Sequence, residues 1–247
     1  MKKHFVKTSN YKRFAAAVMA TEARGASEAG WVLVTGLPGT GKTKTLKAWA
    51  ADVGAIYLRA KTEWTVNYFY EEVAAALGLD TGGRARARCG RLEGMLAREQ
   101  IPIVIDEVEH AFHNKSAVLE ALRDLTDVTE TLAILAGMED KRNNVRNAIA
   151  KQMQFGHRVF QHCEFRPASS EDTRQLCSEL AEVTIADDLA TAIHQQSGGV
   201  VRLILNAIST AERTARRNSQ PSIALADLSG APLCIDWQAR RPAAGGR

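Results

Sequence analysis

Apolar positions along the chain follow two alternating patterns. Short continuous apolar runs, typical of strands buried on both faces, occupy residues 31–34, 55–58, 101–105 and 132–136, and we predict a last strand at residues 159–165. The stretches between them have the spacing or composition of helices, at residues 10–24, 42–52, 65–77, 84–98, 116–127 and 141–154. This alternation predicts an α/β fold with a parallel sheet flanked by helices on both faces.

The pattern changes after Pro167, where helical stretches follow one another at residues 170–181, 187–196 and 199–217. No strand signal lies among them, so we predict a small C-terminal all-helical lid domain. The sequence then divides into a helical lead-in (1–28), an α/β core (29–166), the lid (167–218) and a short, partly disordered tail (219–247).

Length and composition limit the class of protein. A chain of 247 residues with 45% hydrophobic content can form one sizeable α/β domain and a smaller satellite. It has no run of the roughly 20 apolar residues needed to cross a bilayer, and no apolar signal-peptide segment follows the basic N-terminus. We therefore expect a cytoplasmic protein with no membrane partner. The four cysteines include no Cys-x-x-Cys pair, which gives zinc or dithiol chemistry no support.

The most specific motif lies between the first strand and the helix after it. Residues 36–43 read Gly-Leu-Pro-Gly-Thr-Gly-Lys-Thr and fit the phosphate-loop pattern Gly-x-x-x-x-Gly-Lys-[Ser/Thr]. Its glycines let backbone N–H groups turn inward around phosphates, and the helix N-terminus adds partial positive charge. We expect Lys42 to reach the β- and γ-phosphates of ATP and Thr43 to ligate Mg²⁺. The predicted cofactor-binding residues are Gly36, Pro38, Gly39, Thr40, Gly41, Lys42, Thr43 and Lys44.

A second motif is an apolar strand that ends in two acids, Asp106 and Glu107. The end of such a strand lies at the carboxyl edge of the sheet, beside the phosphate loop. We expect Asp106 to hold Mg²⁺, and Glu107 to orient and deprotonate the attacking water, because phosphoryl transfer depends on positioning and electrostatics. The alternative is that the acid pair only caps the following helix.

Charge that develops on the γ-phosphate needs a cation, often an arginine from a neighbouring subunit. Arg158 lies in a loop before the last strand, and Arg202 follows Gly198-Gly199 near the start of a lid helix. We predict that Arg158 is catalytic and that Arg202 binds the cofactor. From position alone, each could equally be a surface arginine.

Together these motifs resemble those of AAA+ ATPases, and within them the family of the phage Mu B transposition protein and its relatives in transposable phages. The stretches that carry this likeness are Phe5-Val6-Lys7-Thr8, Val104-Ile105-Asp106-Glu107-Val108-Glu109-His110, Phe155-Gly156-His157-Arg158 and Gly199-Val200-Val201-Arg202-Leu203-Ile204-Leu205-Asn206. The likeness covers about residues 4–217. It implies a P-loop AAA+ fold, with Arg158 acting across a subunit interface and Arg202 sensing the nucleotide.

The resemblance also implies a function and partners. Members of that family bind double-stranded DNA without strong sequence preference when ATP is present, assemble as rings or helical filaments, and stimulate an integrase-like transposase. The expected setting is the cytoplasm of a bacterial or phage-infected cell. This chain departs from the family at Met138, where a polar residue usually helps to position the water. Hydrolysis is then expected to be slow, unless Glu139 takes the place of this polar residue.

Basic residues occur in clusters along the sequence. Such clusters are typical either of a surface that binds a polyanion or of a face exposed only to solvent. Our first candidate surface for DNA is the stretch with Arg84, Arg86, Arg88 and Arg91, and the second is Lys61 with Thr65. The arginines after Gln238 are the third candidate.

Three other functions remain open from the sequence. A helicase-loader-type AAA+ ATPase would share the chemistry and differ in its client. A nucleotide-gated binding module with negligible turnover is favoured by Met138. A metabolic P-loop kinase would need a small-molecule acceptor site, and the predicted lid with Arg202 argues against it.

Overall fold

A computed structural model of the chain describes residues 1–139, 144–228 and 233–234. It forms two compact units. The first comprises Asn10–Arg166, and the second combines Met1–Ser9 with the chain from Pro167 onward. Among the described residues, no helix is both long enough and apolar enough to cross a membrane.

The centre of the first unit is a five-stranded sheet. Its strands are β1 (Trp31–Gly36), β2 (Ile56–Arg59), β3 (Ile103–Asp106), β4 (Ala133–Ala136) and β5 (Val159–Phe165). They lie in the order β2-β3-β4-β1-β5, and every neighbouring pair is parallel. The predicted parallel sheet is therefore confirmed. The phosphate loop begins at the last residue of β1 and the acid pair at the last residue of β3, so both lie at the carboxyl edge of this sheet.

Helices cover both faces of the sheet. They are α1 (Ser9–Glu22), α2 (Lys42–Val53), α3 (Val66–Ala76), α4 (Ala85–Glu99), α5 (His113–Thr129), α6 (Val145–Ala150) and α7 (Met153–Gly156), with a 3-10 helix at Val108–Phe112. Leu33 and Ile105 belong to the core cluster with α3, α4 and α5, whereas Val34 and Val104 belong to the cluster with α1 and α2. This division follows from the alternation of side chains along each strand.

The helix predicted at residues 141–154 is wrong in its extent. Residues 140–143 lie outside the described part of the chain, and α6 begins after Asn144, whose side chain accepts a hydrogen bond from the backbone N–H of Asn147. A break at Gln152, with φ of −110° and ψ of 90°, separates α6 from α7. The apolar spacing continues through this break, which is why the sequence predicted a single helix.

The second unit contains α8 (Ser170–Leu180), α9 (Asp187–Ser197) and α10 (Val201–Arg217). The prediction that it is all-helical is wrong in detail, because strands β6 (Thr184–Ile185) and β7 (Ser222–Ile223) pair in parallel. Each strand has two residues, too few to show a period.

Segments from both ends of the chain belong to this second unit. Val6, from the predicted lead-in, is 5% exposed and packs in the core of the helical unit. Part of the predicted tail is ordered as β7 and a 3-10 helix at Leu225–Leu228. Residues 229–232 and 235–247, including the C-terminal arginines, lie outside the described residues.

Candidate functional site

The phosphate loop connects β1 to α2 through glycines in the left-handed region. Gly39 has φ of 81° and Gly41 has φ of 95°, which other residues rarely adopt. Gly36 has a second constraint, because a Cβ atom there would lie 2.4 Å from the carbonyl oxygen of Phe165 on β5. The loop ends at the N-terminus of α2, where free backbone N–H groups and the helix dipole favour an anion.

Lys42 is directed back into this loop. Its ammonium donates hydrogen bonds to the carbonyl oxygens of Gly36, at 2.7 Å, and Leu37, at 3.1 Å. Burial lowers the pKa of Lys42, and the nearby carboxylates of Asp106 and Glu109 act in the opposite direction. A bound phosphate could replace the two carbonyl oxygens as the partner of this cation.

The hydroxyl of Thr43 and the carboxylate of Asp106 meet beside the loop. Thr43 Oγ1 donates to Asp106 Oδ2 at 2.7 Å, and the Tyr57 hydroxyl donates to the same oxygen at 2.7 Å. Asp106 is only 2% exposed. A hydroxyl and a carboxylate at this distance are the hard oxygen ligands that Mg²⁺ takes alongside phosphate oxygens, so these residues fit the predicted metal.

Glu107, the predicted catalytic base, has an unusual backbone and a strong partner. Its φ of 56° and ψ of 42° lie in the left-handed region, and its N–H donates to Asp106 Oδ1 at 3.0 Å. Its carboxylate accepts two hydrogen bonds from Arg59, at 2.7 and 2.6 Å. In this conformation the guanidinium of Arg59 contacts both carboxylate oxygens of Glu107.

The segment after β4, the strand between β3 and β1, also contacts the start of the phosphate loop. The N–H of Glu139 donates to the carbonyl of Gly36 at 3.3 Å, and the N–H of Met138 donates to Glu109 Oε2 at 3.3 Å. The carboxylate of Glu139 accepts a hydrogen bond from the Thr35 hydroxyl, which also contacts His162. The carboxylate of Glu139, the predicted substitute for a polar residue at Met138, therefore already accepts a hydrogen bond from Thr35.

The structure places Arg158 in the α/β unit and Arg202 in the helical unit. Arg158 forms an ion pair with Asp127 and donates to the carbonyl of Gln154 at 2.6 Å. Its own carbonyl accepts from Trp31, the first residue of β1, so Arg158 lies at the amino edge of the sheet. Arg202 is exposed on α10 of the helical unit. Their roles toward the nucleotide remain predictions.

The structure changes the predicted DNA surface on α4. Arg88 is 2% exposed and donates to the carbonyl oxygens of Thr81 and Gly83 and to Asn67, so its assignment as a DNA contact is wrong in this conformation. Arg91 is half-buried and donates to the carbonyl oxygens of Asp80 and Gly82. Arg84 and Arg86 are exposed.

The residues of the second predicted DNA surface, Lys61 and Thr65, also contact other residues of the same chain. Lys61 donates to the hydroxyl of Tyr68 at 2.7 Å and forms an ion pair with Glu72. Thr65 caps α3 by accepting from the backbone N–H of Tyr68. These contacts leave Lys61 little free charge for a phosphate.

Sequence reasoning missed Tyr57 and Arg59 as part of the nucleotide site. Both lie on β2, which pairs with β3 so that Arg59 is opposite Asp106. A polar residue that ends a strand can signal such a role, but only once the neighbouring strand is known. The structure also places Glu109 beside Met138 and Lys42.

Comparisons with known proteins agree with this architecture. Residues 24–145 match the protein-family model described as AAA domain. The Aeropyrum pernix ORC2 protein in ADPNP–ADP complexes is 14% identical with a TM-score of 0.68, over 92% of this chain and 69% of that one. The Thermotoga maritima RuvB Holliday junction branch migration motor is 16% identical with a TM-score of 0.59, over 89% and 66%. C. elegans PCH-2 is 13% identical with a TM-score of 0.51, over 88% and 64%.

No curated protein sequence matches the chain. The chain spans about two thirds of the length of the solved structures named above. At these identities the likeness establishes the fold, which is that of the P-loop AAA+ ATPases. The fold and the phosphate loop therefore define an AAA+ ATPase-type domain.

Proposed function

We propose that this protein is an ATP-dependent, sequence-nonspecific double-stranded DNA-binding ATPase. It oligomerises on DNA as a ring or helical filament and activates and targets an integrase-like transposase during DNA transposition. The observation that carries the ATPase part is the 2.7 Å hydrogen bond between Thr43 and Asp106, because it joins the phosphate loop to the acidic strand end.

Each residue of the site has a distinct role in this proposal. The loop N–H groups and Lys42 bind the phosphates, and Lys42 neutralises charge on the β- and γ-phosphoryl oxygens. Thr43 and Asp106 hold Mg²⁺, which supplies charge stabilisation at the phosphates. Glu107 orients the attacking water and accepts its proton.

Hydrolysis in this scheme requires Glu107 to leave Arg59. A carboxylate that accepts two charge-assisted hydrogen bonds is a poor acceptor for a third donor in line with the γ-phosphate. The described conformation is therefore the resting one, and the active conformation has Glu107 turned toward the phosphate loop.

The DNA and transposase parts of the proposal rest on sequence motifs. The stretch from Val104 to His110 and the segment around Arg202 resemble the corresponding stretches of the transposable-phage family. A protein of similar fold, RuvB, is described as a Holliday junction branch migration motor, so this fold is compatible with work on DNA.

A second candidate function has structural observations in its favour. A nucleotide-gated binding module with negligible turnover would combine an intact phosphate loop with a disabled water site. Met138 is the second residue after β4, and the Glu107 carboxylate accepts hydrogen bonds from Arg59. A helicase-loader-type ATPase shares the same site and differs only in its protein client.

The decisive assay measures phosphate release with Mg²⁺, with and without random duplex DNA, for the wild type and three variants. Lys42→Ala removes the phosphate cation, Glu107→Gln removes the base, and Lys151→Ala is the control because Lys151 is an exposed residue outside the site. We expect both site variants to lose at least about 100-fold in turnover, as for other groups that act directly on phosphoryl transfer, and the control to match the wild type.

The outcome separates the candidate functions. Equal turnover of the wild type and Glu107→Gln, with ATP binding retained, would contradict the ATPase and favour the gated module. Stimulation of strand transfer by an integrase-like transposase, with the wild type and not with Lys42→Ala, is the result expected of the transposition function. Absence of stimulation despite ATP-dependent DNA binding would contradict it.

A further inference from the structure

An open groove of about 480 Å³ runs along β5, outside the nucleotide site. Its walls come from α1, α6, β5 and the residue after β5. Its charged residues are Arg13, Arg146, Glu164 and Arg166, so three arginines face one acid. All the residues that line it lie within the α/β unit.

Two of these arginines have no acidic partner among the described residues. Arg13 donates to the side-chain oxygen of Asn10, a neutral acceptor, and Arg146 forms no ion pair with any carboxylate that the structure describes. Arg166 lies 3.3 Å from Glu164 in an exposed pair. The groove therefore carries positive charge that its own residues do not neutralise.

The arginines approach the groove from different elements. Arg13 is on α1, and its charge acts on Cys163 of β5. Arg146 is on α6, and its charge acts on His162 of the same strand. Each guanidinium can bind a phosphate bidentately, and two of them on elements that flank one strand can contact two phosphates of the same backbone.

The strand between them adds backbone donors. β5 is the last strand of the described sheet, so its outer edge has N–H groups without a strand partner. Backbone N–H groups and arginines commonly bind nucleic-acid phosphates, and such phosphate contacts carry no base-sequence information. This matches the sequence-nonspecific binding proposed above.

We propose that the groove formed by Arg13, Arg146 and the edge of β5 contacts the phosphodiester backbone of duplex DNA. The inference rests on the proposed function and moves its DNA contact away from the arginine-rich helix α4. On α4, Arg88 and Arg91 donate to backbone carbonyls of their own unit, whereas Arg13 and Arg146 are exposed and unpaired by any described acid.

The test compares two double variants that remove the same charge. Arg13→Gln with Arg146→Gln alters the groove, and Arg84→Gln with Arg86→Gln alters the exposed arginines of α4. Binding of a fluorescein-labelled random duplex to the full chain with ATP is followed by anisotropy over a series of salt concentrations. Arg13→Lys with Arg146→Lys keeps the charge, and thermal melting checks that every variant is folded.

We expect the groove variant to bind DNA at least about 10-fold more weakly. The slope of the logarithm of the binding constant against the logarithm of the salt concentration should become shallower by about one for each arginine lost. The α4 variant should stay within about 3-fold of the wild type, and the lysine variant should retain most of the affinity. A folded groove variant that binds like the wild type would overturn the inference about the groove and leave the proposed DNA-binding function standing. No binding of the wild type with any nucleotide would overturn the proposed DNA function as well.

Discussion

The guanidinium of Arg59 donates to both carboxylate oxygens of Glu107, at 2.7 and 2.6 Å. Arg59 ends β2 and Glu107 follows β3, and these two strands are hydrogen-bonded neighbours in the sheet. The residue expected to activate water is therefore held by a residue of the next strand.

Removing Arg59 should release this restraint. We expect Arg59→Ala to raise the turnover number for ATP several-fold, because the freed carboxylate can orient water, while the affinity for ATP changes little. Steady-state phosphate release measures this, with Arg98→Ala as the control since Arg98 is an exposed arginine paired with its neighbour Glu99. A fall in turnover to the level of Glu107→Gln would show instead that Arg59 assists the reaction.

The hydroxyl of Tyr57 should set the magnesium requirement. Burial, followed by the hydrogen bond to Asp106, raises the pKa of Tyr57, so the phenol stays protonated and donates to Asp106 at neutral pH. Tyr57→Phe removes a bond to a charged acceptor, which is worth about 1.5 to 3 kcal/mol. We expect the Mg²⁺ concentration for half-maximal ATPase activity to rise about 10-fold, with Tyr68→Phe as the control. An unchanged requirement would mean that Thr43 alone positions Asp106.

Arg158 can be tested as a residue that acts in a neighbouring subunit. Within its own chain it lies at the amino edge of the sheet, whereas the phosphate loop lies at the carboxyl edge. Arg158→Ala and Lys42→Ala should each be inactive alone. Mixed in equal amounts they should recover about a quarter of wild-type ATPase activity, the fraction of interfaces that contain both intact residues.

The ion pair between Arg158 and Asp127 needs its own control. Asp127→Asn removes the pair and leaves the arginine in place. A purely structural role predicts that Asp127→Asn is as inactive as Arg158→Ala and that the mixture shows no recovery.

Asp172 should make the helical unit sensitive to acid. Burial alone would raise the pKa of Asp172, but hydrogen bonds from Ser9 and Ser169 outweigh it and hold the pKa below its ordinary value of 3.8. The folded carboxyl thus binds a proton less readily than the unfolded one. Its contribution to stability is complete above about pH 4 and is lost as the pH falls through the folded pKa.

Denaturant unfolding of Asp172→Asn at several pH values measures this contribution. We expect the variant to be about 1 to 3 kcal/mol less stable at pH 7, with the difference shrinking below pH 4. Glu171→Gln, which alters the exposed acid next to it, should show neither effect. An equal loss of stability at pH 7 and pH 3 would contradict the assigned role of the charge.

Much of the α/β unit could be predicted because its central strands β1, β3 and β4 are buried on both faces. Residues 159–165 form β5 with the predicted bounds, and the loop of residues 36–43 lies between a strand and a helix as expected. Both signals are local, since an apolar run and a glycine pattern depend on neighbours in the chain.

The remaining features depend on contacts between distant segments. Tyr57 and Arg59 join the site because β2 lies beside β3, an order that strand patterns do not encode. Arg88 was expected in solvent because its helix is rich in arginine. It is instead 2% exposed and donates hydrogen bonds to the backbone carbonyls of Thr81 and Gly83. The groove beside β5 combines residues from α1, α6 and β5, and the chain separates Arg13 widely from Arg146.

The central claim is that ATP on the phosphate loop switches on binding to duplex DNA. Anisotropy of a labelled random duplex at about 100 mM salt, with ATP, with ADP and without nucleotide, tests it most directly. The account predicts tight, cooperative binding with ATP alone, which Lys42→Ala abolishes and which weakens steeply as salt rises. Equal binding in all three nucleotide states, or no binding in any, would contradict it.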